Sequence, residues 1–202
     1  MLAMEKNLLM IFVKNLVAGA VKTRLGASIG STNALQVYKN LLRYTREVAS
    51  ACNADRQVWY SSKIDRRDEW KDQLFQKRCQ TGENLGERMA DAFRQGFGQG
   101  YKKVLVIGSD CAELTPSHLE NAYSMLDKHD AVIGPSEDGG YYLLGLTRFE
   151  SGVFEGVEWS SEEVYKRTLG NFGRYDLSFG VLETLNDIDT VEDLKRSNLG
   201  LG

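Results

Sequence analysis

Short apolar runs alternate with segments of helical periodicity along this chain. The runs Leu8–Val13 and Val104–Ile107 consist entirely of apolar residues, which is typical of strands buried on both faces of a sheet. Residues 31–52 instead place apolar side chains three and four positions apart, which predicts an amphipathic helix capped by Ser31 or Thr32. The same reasoning predicts strands over 57–62, 130–136 and 140–146, and helices over 84–97, 114–129, 160–170 and 190–198.

Capping residues mark the helices in the second half of the chain. Thr115 precedes Pro116 at the start of one helix, and Thr190 stands three residues before Asp193 in a capping-box spacing. Serines are expected to cap residues 160–170, which end in a glycine.

The order of these elements predicts the fold class. Strands that alternate with helices indicate a three-layer α/β/α domain with a mostly parallel sheet, and the 202 residues suit a single domain over 1–202. The link between 130–136 and 140–146 is too short for a crossover helix. That pair, together with residues 175–185, indicates that the sheet becomes mixed late in the chain.

Charge and cysteine content narrow the classes of partner and compartment. A net charge of −3 gives no basic field for nucleic acid, so an anionic ligand must be held by a local cluster of cations. Three scattered cysteines indicate reduced thiols and a cytoplasmic protein. The apolar run near the N-terminus is short enough to be a strand, and no stretch is long enough to span a membrane.

An acid at a strand tip is the first candidate for chemistry. Asp110 follows Val104–Ile107, and ligands of open α/β sheets bind beyond the carboxyl ends of the strands. Gly108 removes a side chain where a ligand would approach closely. The alternative is that Asp110 caps the next helix, although Thr115 and Pro116 already supply that start.

The loop after the first strand carries three cations within eleven residues, Lys14, Lys22 and Arg24. They share the predicted binding edge with Asp110, and Arg and Lys both bind phosphate. A solvated basic loop is the alternative, and the spacing is not that of a P-loop.

Two further acidic segments are candidates for chemistry. Glu137 and Asp138 precede two glycines, a pattern that a tight turn between strands would also produce. Asp187 and Asp189 precede the last helix. Either Asp189 only favours the helix N-terminus, or both acids join Asp110 in binding one divalent cation.

Several motifs together resemble a known family: "FVKNLVAGAVKTRL", "LGERM", "VIGSDCAELT", "GPSEDGGYYLLGL", "WSSEEV" and "LNDIDTVEDL". They are similar to bacterial proteins of GT-A-like fold assigned as glycosyltransferases, one branch of which is linked to arsenosugar biosynthesis. The resemblance extends over residues 8 to 196 and also points to small nucleotidyltransferases. It departs from the usual pattern where Glu113 and Val191 replace prolines and where the "KNLVAG" loop lacks them.

The resemblance implies a nucleotide-diphospho-sugar transferase fold that binds Mg²⁺ or Mn²⁺. By analogy, Asp110 and Asp189 would hold the metal. The residues expected to bind the nucleotide are Lys14, Lys22, Arg24, Arg88 and Gly108. Asp110 is a single acid followed by Cys111, not an Asp-x-Asp pair.

Three hypotheses follow. The first is a metal-dependent glycosyltransferase that acts on a nucleotide-activated sugar, with Glu137 or Asp138 as the base for a small-molecule acceptor. The second is a nucleotidyltransferase that joins a nucleoside triphosphate to a small phosphorylated acceptor and releases pyrophosphate. The third is a nucleotide-binding module without turnover. All three require residues 14–24, 108–111 and 187–189 to surround one pocket.

Overall fold

A seven-stranded mixed sheet organises the protein, which a computed structural model describes over residues 6–197. The strands are β1 Asn7–Val13, β2 Asp55–Tyr60, β3 Gln76–Cys79, β4 Lys103–Ile107, β5 Ala131–Pro135, β6 Tyr141–Leu146 and β7 Phe179–Val181. Their order in the sheet is β3-β2-β1-β4-β6-β5-β7. Strand β6 is antiparallel to both β4 and β5, and the other pairs are parallel, so the mixed sheet predicted for the second half of the chain is confirmed.

Helices cover both faces of this sheet. They are α1 Thr23–Ile29, α2 Ser31–Ala51, α3 Leu85–Gly98, α4 Pro116–Met125, α5 Val164–Arg174 and α6 Val191–Arg196, with a short 3₁₀ turn at Ser151–Phe154. Leu9 and Ile11 face one core with α2 and α4, whereas Leu8 and Met10 face the other core with α3 and α5. This alternation follows from the two-residue period of a strand, so the buried run Leu8–Val13 of β1 needs apolar side chains at successive positions.

A third apolar cluster closes one end of the molecule. It joins α1, α2 and α6 through buried side chains that include Leu25, Val37, Ile188 and Leu194. The segments that precede α1 and α6 are therefore brought together beside the carboxyl ends of β1 and β4.

Helix α1, strand β3 and the 3₁₀ turn were not predicted from the pattern, the predicted cap of α2 was wrong, and both ends of α5 differ from the prediction. Helix α1 has seven residues, and β3, with sequence QKRC, is a polar edge strand, so neither has a clear apolar period. Helix α2 is preceded by Gly30 at φ 86°, and no side chain caps it, contrary to the expectation for Ser31 or Thr32. Helix α5 begins only at Val164, has no side-chain cap, and continues through Gly170 to Arg174.

The remaining capping predictions are confirmed. Pro116 opens α4 directly after Thr115, whose backbone N–H donates to Nδ1 of His118 at 2.9 Å. At α6 the side chain of Thr190 accepts from the backbone of Asp193, and Asp193 accepts in return from the N–H of Thr190 at 2.8 Å.

Candidate active site

A cleft of about 910 Å³ opens at the carboxyl edge of β1 and β4. Residues from segments far apart in sequence line it, and they include members of all three segments expected there, 14–24, 108–111 and 187–189. Of the residues predicted to form the site, eight contribute to its wall: Lys14, Lys22, Arg24, Arg88, Gly108, Asp110, Asp138 and Asp189.

A buried lysine lies between the two acids predicted to bind metal. The ammonium of Lys22 is 2.8 Å from Oδ1 of Asp110 and 3.0 Å from Oδ1 of Asp189. The two carboxylate oxygens are therefore no farther apart than the sum of these distances. The Lys22 side chain is only 3% exposed, whereas those of Asp110 and Asp189 are 31% and 41% exposed. Burial alone would lower the pKa of Lys22, but the charges of Asp110 and Asp189 outweigh it and raise that pKa.

The backbone of Lys22 is held in an unfavourable conformation. Its φ of 48° lies in the left-handed region, which costs a residue with a side chain about 1–2 kcal/mol. Such conformations persist where the surrounding structure fixes them, and they cluster at functional sites.

Backbone contacts hold Asp110 and Asp189 on neighbouring segments. The N–H of Ile188 donates to the carbonyl of Asp110 at 2.9 Å, and Cys111 forms an isolated antiparallel bridge with Asp187. The α6 capping box also holds the backbone of Asp189, because the N–H of Asp189 donates to the carboxylate of Asp193 at 3.2 Å. The position of Asp189 therefore depends on where α6 packs.

The capping acid itself is strongly stabilised as a carboxylate. Burial disfavours the charged form of Asp193, yet hydrogen bonds from Thr190 and Arg196 hold its pKa well below the usual range. The start of α6 is therefore anchored by a charge over the ordinary pH range.

A third acid in the cleft is poorly stabilised. Burial and the nearby charge of Asp110 together raise the pKa of Asp187 to about 7, although Lys22 opposes the shift. The acids in this part of the cleft outnumber the buried ammonium, so added positive charge would be favourable there.

The donor set fits a divalent cation that is shared with a ligand. Over residues 6–197 no group of three or more His, Cys, Asp or Glu side chains is arranged to hold a metal ion. Asp110 and Asp189 can still supply two hard oxygen donors, and Mg²⁺ is typically bound by one or two carboxylates plus substrate phosphates.

Two exposed cations flank this centre. In the described part of the chain, neither Lys14 nor Arg24 forms an ion pair with an acid. The backbone of Lys14 is fixed, because its N–H donates to the hydroxyl of Tyr38 at 2.8 Å, and that hydroxyl lies 3.0 Å from Oγ of Ser109. Burial raises the pKa of Tyr38, which therefore stays neutral while it links the ends of β1 and β4.

Gly108 leaves the floor of the cleft open. A Cβ built there would meet nothing within 4 Å, so a larger side chain would project into free space. Arg88, on α3, also lines the cleft, and its Nε donates to the carbonyl of Gly82 at 3.0 Å.

The structure separates the two acids considered as a base. Asp138 lines the cleft, and its Oδ1 accepts from Oγ of Ser136 at 2.5 Å and from the N–H of Gly140 at 3.0 Å. Glu137 is not among the lining residues and lies 3.5 Å from Arg196 on α6.

Residues 159–162, in the segment before α5, form a wall of the cleft that the sequence pattern did not single out. The indole of Trp159 lies so close to α3 that a Cβ on Gly86 would be 2.3 Å from its Nε1. Ser160 has a φ of 72°, a second left-handed residue that lines the cleft. The turn before β6 packs directly against this wall. The two backbones are so close that a Cβ on Gly139 would be 2.2 Å from the carbonyl oxygen of Glu162.

Comparison with known proteins identifies the family. The family described as "Uncharacterized protein conserved in bacteria (DUF2064)" matches residues 44–161. The chain belongs to this family. The matched range includes Arg88, Asp110 and Asp138, whereas Lys22 and Asp189 lie outside it.

A solved structure extends the likeness over nearly the whole DUF2064 chain. The "putative nucleotide-diphospho-sugar transferase" of Desulfovibrio desulfuricans G20 is 33% identical, covers 95% of this chain and 85% of its own, and superposes with a TM-score of 0.87. The predicted nucleotide-diphospho-sugar transferase fold is therefore confirmed.

Two more distant proteins share parts of this likeness. The 2-phospho-L-lactate guanylyltransferase of Methanocaldococcus infernus is 28% identical over 119 residues, which cover 57% of this chain and 53% of that protein. Rv0371c of Mycobacterium tuberculosis H37Rv, solved in complex with manganese, is 15% identical, covers 95% of this chain and 97% of its own, and has a TM-score of 0.56. At that identity it shows a shared fold.

None of the helices in the described range 6–197 is both long and apolar enough to cross a membrane.

The wall at residues 159–162 had one signal in the sequence. The motif "WSSEEV" belongs to the family resemblance, but its serines were interpreted as caps of a helix. Helix α5 begins after this motif, which leaves Trp159 and Ser160 free to line the cleft.

Proposed function

We propose that this protein is a metal-dependent glycosyltransferase that binds a nucleotide-activated sugar in the cleft and transfers the sugar to a hydroxyl acceptor. The observation that supports this proposal is the convergence of Lys14, Lys22 and Arg24 with Asp110 and Asp189 in one cleft of a nucleotide-diphospho-sugar transferase fold. A bound diphosphate is stabilised both by cationic side chains and by a metal ion, and the acids beside these cations can hold such an ion.

The exposed cations are assigned to the phosphates. Arg24 can form two parallel hydrogen bonds with a phosphate, and Lys14 supplies a compact charge. Gly108 would let the nucleotide approach the end of β4, and Arg88, which also lines the cleft, is assigned to the nucleotide as well.

Asp110 and Asp189 are assigned to Mg²⁺ or Mn²⁺. The bound cation would stabilise the negative charge that develops on the leaving nucleoside diphosphate. Lys22 lies between these carboxylates, so its ammonium would have to leave that position for a metal to be held between them, and it could then bind the phosphate oxygens.

Asp138 is assigned as the base. Two donors fix its Oδ1, so its second oxygen can accept the proton of the acceptor hydroxyl. The acceptor oxygen then forms a bond to the anomeric carbon of the donor sugar, while the bond from that carbon to the diphosphate breaks and leaves its electron pair on the nucleoside diphosphate.

Nucleotidyl transfer is the second candidate reaction. It is favoured by the match to 2-phospho-L-lactate guanylyltransferase, which covers about half of each protein. It would use the same phosphate and metal contacts, with a nucleoside triphosphate as donor and pyrophosphate as product.

A thermal-shift screen of nucleoside triphosphates and nucleotide sugars, with and without Mn²⁺, tests the shared part of this proposal. A ligand at a hundred times its Kd stabilises the folded state by about 2.7 kcal/mol. We expect a metal-dependent shift that Asp110→Asn abolishes and that Asp72→Asn, at a 67% exposed acid outside the cleft, retains.

Product analysis with the best ligand separates the reactions. Release of a nucleoside diphosphate from a nucleotide sugar supports glycosyl transfer, and release of pyrophosphate from a triphosphate supports nucleotidyl transfer. Binding without turnover over a broad panel of acceptors would leave the nucleotide-binding module as the correct function. No metal-dependent shift with any nucleotide would contradict the assignment of the cleft.

A further inference from the structure

A short antiparallel ladder joins the segments that carry the two acids assigned to the metal. One segment follows β4 and the other precedes α6. The N–H of Ile188 donates to the carbonyl of Asp110 at 2.9 Å, and Cys111 pairs with Asp187 in an isolated bridge. The register of this ladder therefore determines where Asp189 lies relative to Asp110.

A side chain continues the ladder where a backbone acceptor would be expected. Hydrogen-bonded and non-hydrogen-bonded pairs alternate along a regular antiparallel ladder, so Ala112 and Asn186 would form the next hydrogen-bonded pair. The N–H of Asn186 instead donates to Oε2 of Glu113 at 2.8 Å. The carboxylate of Glu113 thus takes the place of the Ala112 carbonyl and holds the start of the segment before α6.

The same asparagine is also joined to the cap of α6. Nδ2 of Asn186 donates to Oδ1 of Asp193 at 3.3 Å, and the carboxylate of Asp193 accepts from the N–H of Asp189 at 3.2 Å. Glu113 therefore holds one end of residues 186–189, and Asp193 holds the other. With both ends held, this segment resists sliding along the end of β4.

Glu113 makes this contact from outside the cleft. Its side chain is exposed and does not line the cleft, and within residues 6–197 it forms no ion pair with a Lys or Arg. A carboxylate accepts a stronger hydrogen bond from a backbone N–H than a neutral carbonyl does. The contact with Asn186 is therefore the interaction through which this acid can act on the site.

From these contacts we propose that Glu113 is a positioning residue for the metal site. Its carboxylate sets the register of residues 186–189 against the end of β4 and so keeps Asp189 within reach of a cation bound by Asp110. The inference rests on the proposed function, because it takes Asp110 and Asp189 as the metal ligands. It predicts that an acid outside the cleft controls metal affinity through the backbone.

Three variants of the full chain test this role by calorimetric titration with Mn²⁺. Glu113→Ala removes the acceptor and should weaken Mn²⁺ binding about 5- to 20-fold, the loss expected for one exposed hydrogen bond to a charged group. Glu113→Gln keeps an oxygen acceptor without the charge and should remain within about threefold of the parent. Glu150→Ala is the matched control, because Oε1 of Glu150 accepts from the N–H of Gly152 at 3.0 Å outside the cleft. It should keep the Mn²⁺ affinity of the parent.

Amide hydrogen exchange without metal gives an independent measurement. The N–H of Ile188 reports whether the two segments stay joined, because it donates to the carbonyl of Asp110. Its exchange should be at least about fivefold faster in Glu113→Ala than in the parent, and unchanged in Glu113→Gln and Glu150→Ala. A general loss of stability would act on Glu150→Ala as well and would not produce this pattern.

The outcomes separate the failure of this inference from the failure of the proposed function. Parent Mn²⁺ affinity or parent Ile188 exchange in Glu113→Ala would overturn the positioning role. Equal losses in Glu113→Ala and Glu113→Gln would also overturn it, because the charge and not the acceptor would then matter. A parent protein that binds no Mn²⁺ would contradict the proposed function instead, and the exchange of Ile188 would still decide whether Glu113 holds the two segments together.

Discussion

Replacing Lys22 by methionine tests the centre of the site. Methionine keeps a long unbranched side chain and the same left-handed backbone, but it removes the ammonium from Asp110 and Asp189. If these carboxylates are a metal site, the variant should be less stable without metal and should bind Mn²⁺ more tightly than the parent.

The structure sets the size of the loss in stability. Removing one partner of a fully buried ion pair costs about 3–5 kcal/mol, whereas an exposed pair is worth about 0–1 kcal/mol. The lysine is 3% exposed and its partners are 31% and 41% exposed, so the site lies between these limits. The two carboxylate oxygens are at most about 5.8 Å apart, the sum of their distances to the ammonium, so they repel by at least about 0.7–3 kcal/mol at effective dielectric constants between 80 and 20. We therefore expect a loss of about 2 kcal/mol.

The same estimate gives the gain in metal affinity. A cation that binds between Asp110 and Asp189 in the parent must displace Lys22, and about 2 kcal/mol corresponds to roughly a 30-fold difference in affinity. Lys22→Met should thus bind Mn²⁺ about 10- to 100-fold more tightly without nucleotide, and Mn²⁺ should restore much of its stability.

The assay combines urea denaturation with calorimetric Mn²⁺ titration of the same samples. Lys14→Met is the matched control, because Lys14 lines the cleft but forms no ion pair within the described chain, so both properties should stay at parent values. Unchanged Mn²⁺ affinity in Lys22→Met would refute the shared site, and unchanged stability would refute the energetic role of the two ion pairs.

Three further predictions use the same chain. Arg24→Ala should weaken nucleotide binding roughly 10- to 150-fold through the loss of a charge-assisted hydrogen bond, and calorimetry showing parent affinity would contradict its assignment. Gly86→Ala should lower the stability measured by urea denaturation by about 1–3 kcal/mol, because its Cβ would be 2.3 Å from the indole of Trp159. The control Gly170→Ala, which has open space around its Cβ, should stabilise the protein by about 0.4–1 kcal/mol. A stabilised Gly86→Ala variant would contradict the close contact. Asp193→Asn should cost about 1 kcal/mol at pH 7. Because the folded-state pKa of Asp193 is lowered, this stabilisation is present above the unfolded pKa of about 3.9 and is lost as the pH falls further. If the difference in stability between the parent and the variant persists undiminished at pH 2, the cap does not depend on charge.

The sequence by itself determined the layers of the fold. The apolar runs within β1 and β4 place hydrophobic side chains on both faces of the sheet, so these strands can be buried only between two helical layers. Their burial therefore follows from the sequence alone. Pro116 and the Thr190–Asp193 spacing likewise fix helix starts through local hydrogen bonds and backbone geometry. Short or polar elements such as β3 carry no such pattern, because neighbouring strands supply their stability.

Only the tertiary structure decided which of the candidate residues meet. Lys22 and Asp189 are 167 positions apart, and nothing in their local sequence indicates that the lysine lies between two acids. Glu137 and Asp138 are adjacent and chemically alike, yet the turn directs only Asp138 to the cleft. Trp159 acquires its place through Gly86, on a helix more than 70 positions away. Local pattern determines which elements form, whereas long-range packing determines which side chains share a site, because those contacts join segments whose sequences do not depend on one another.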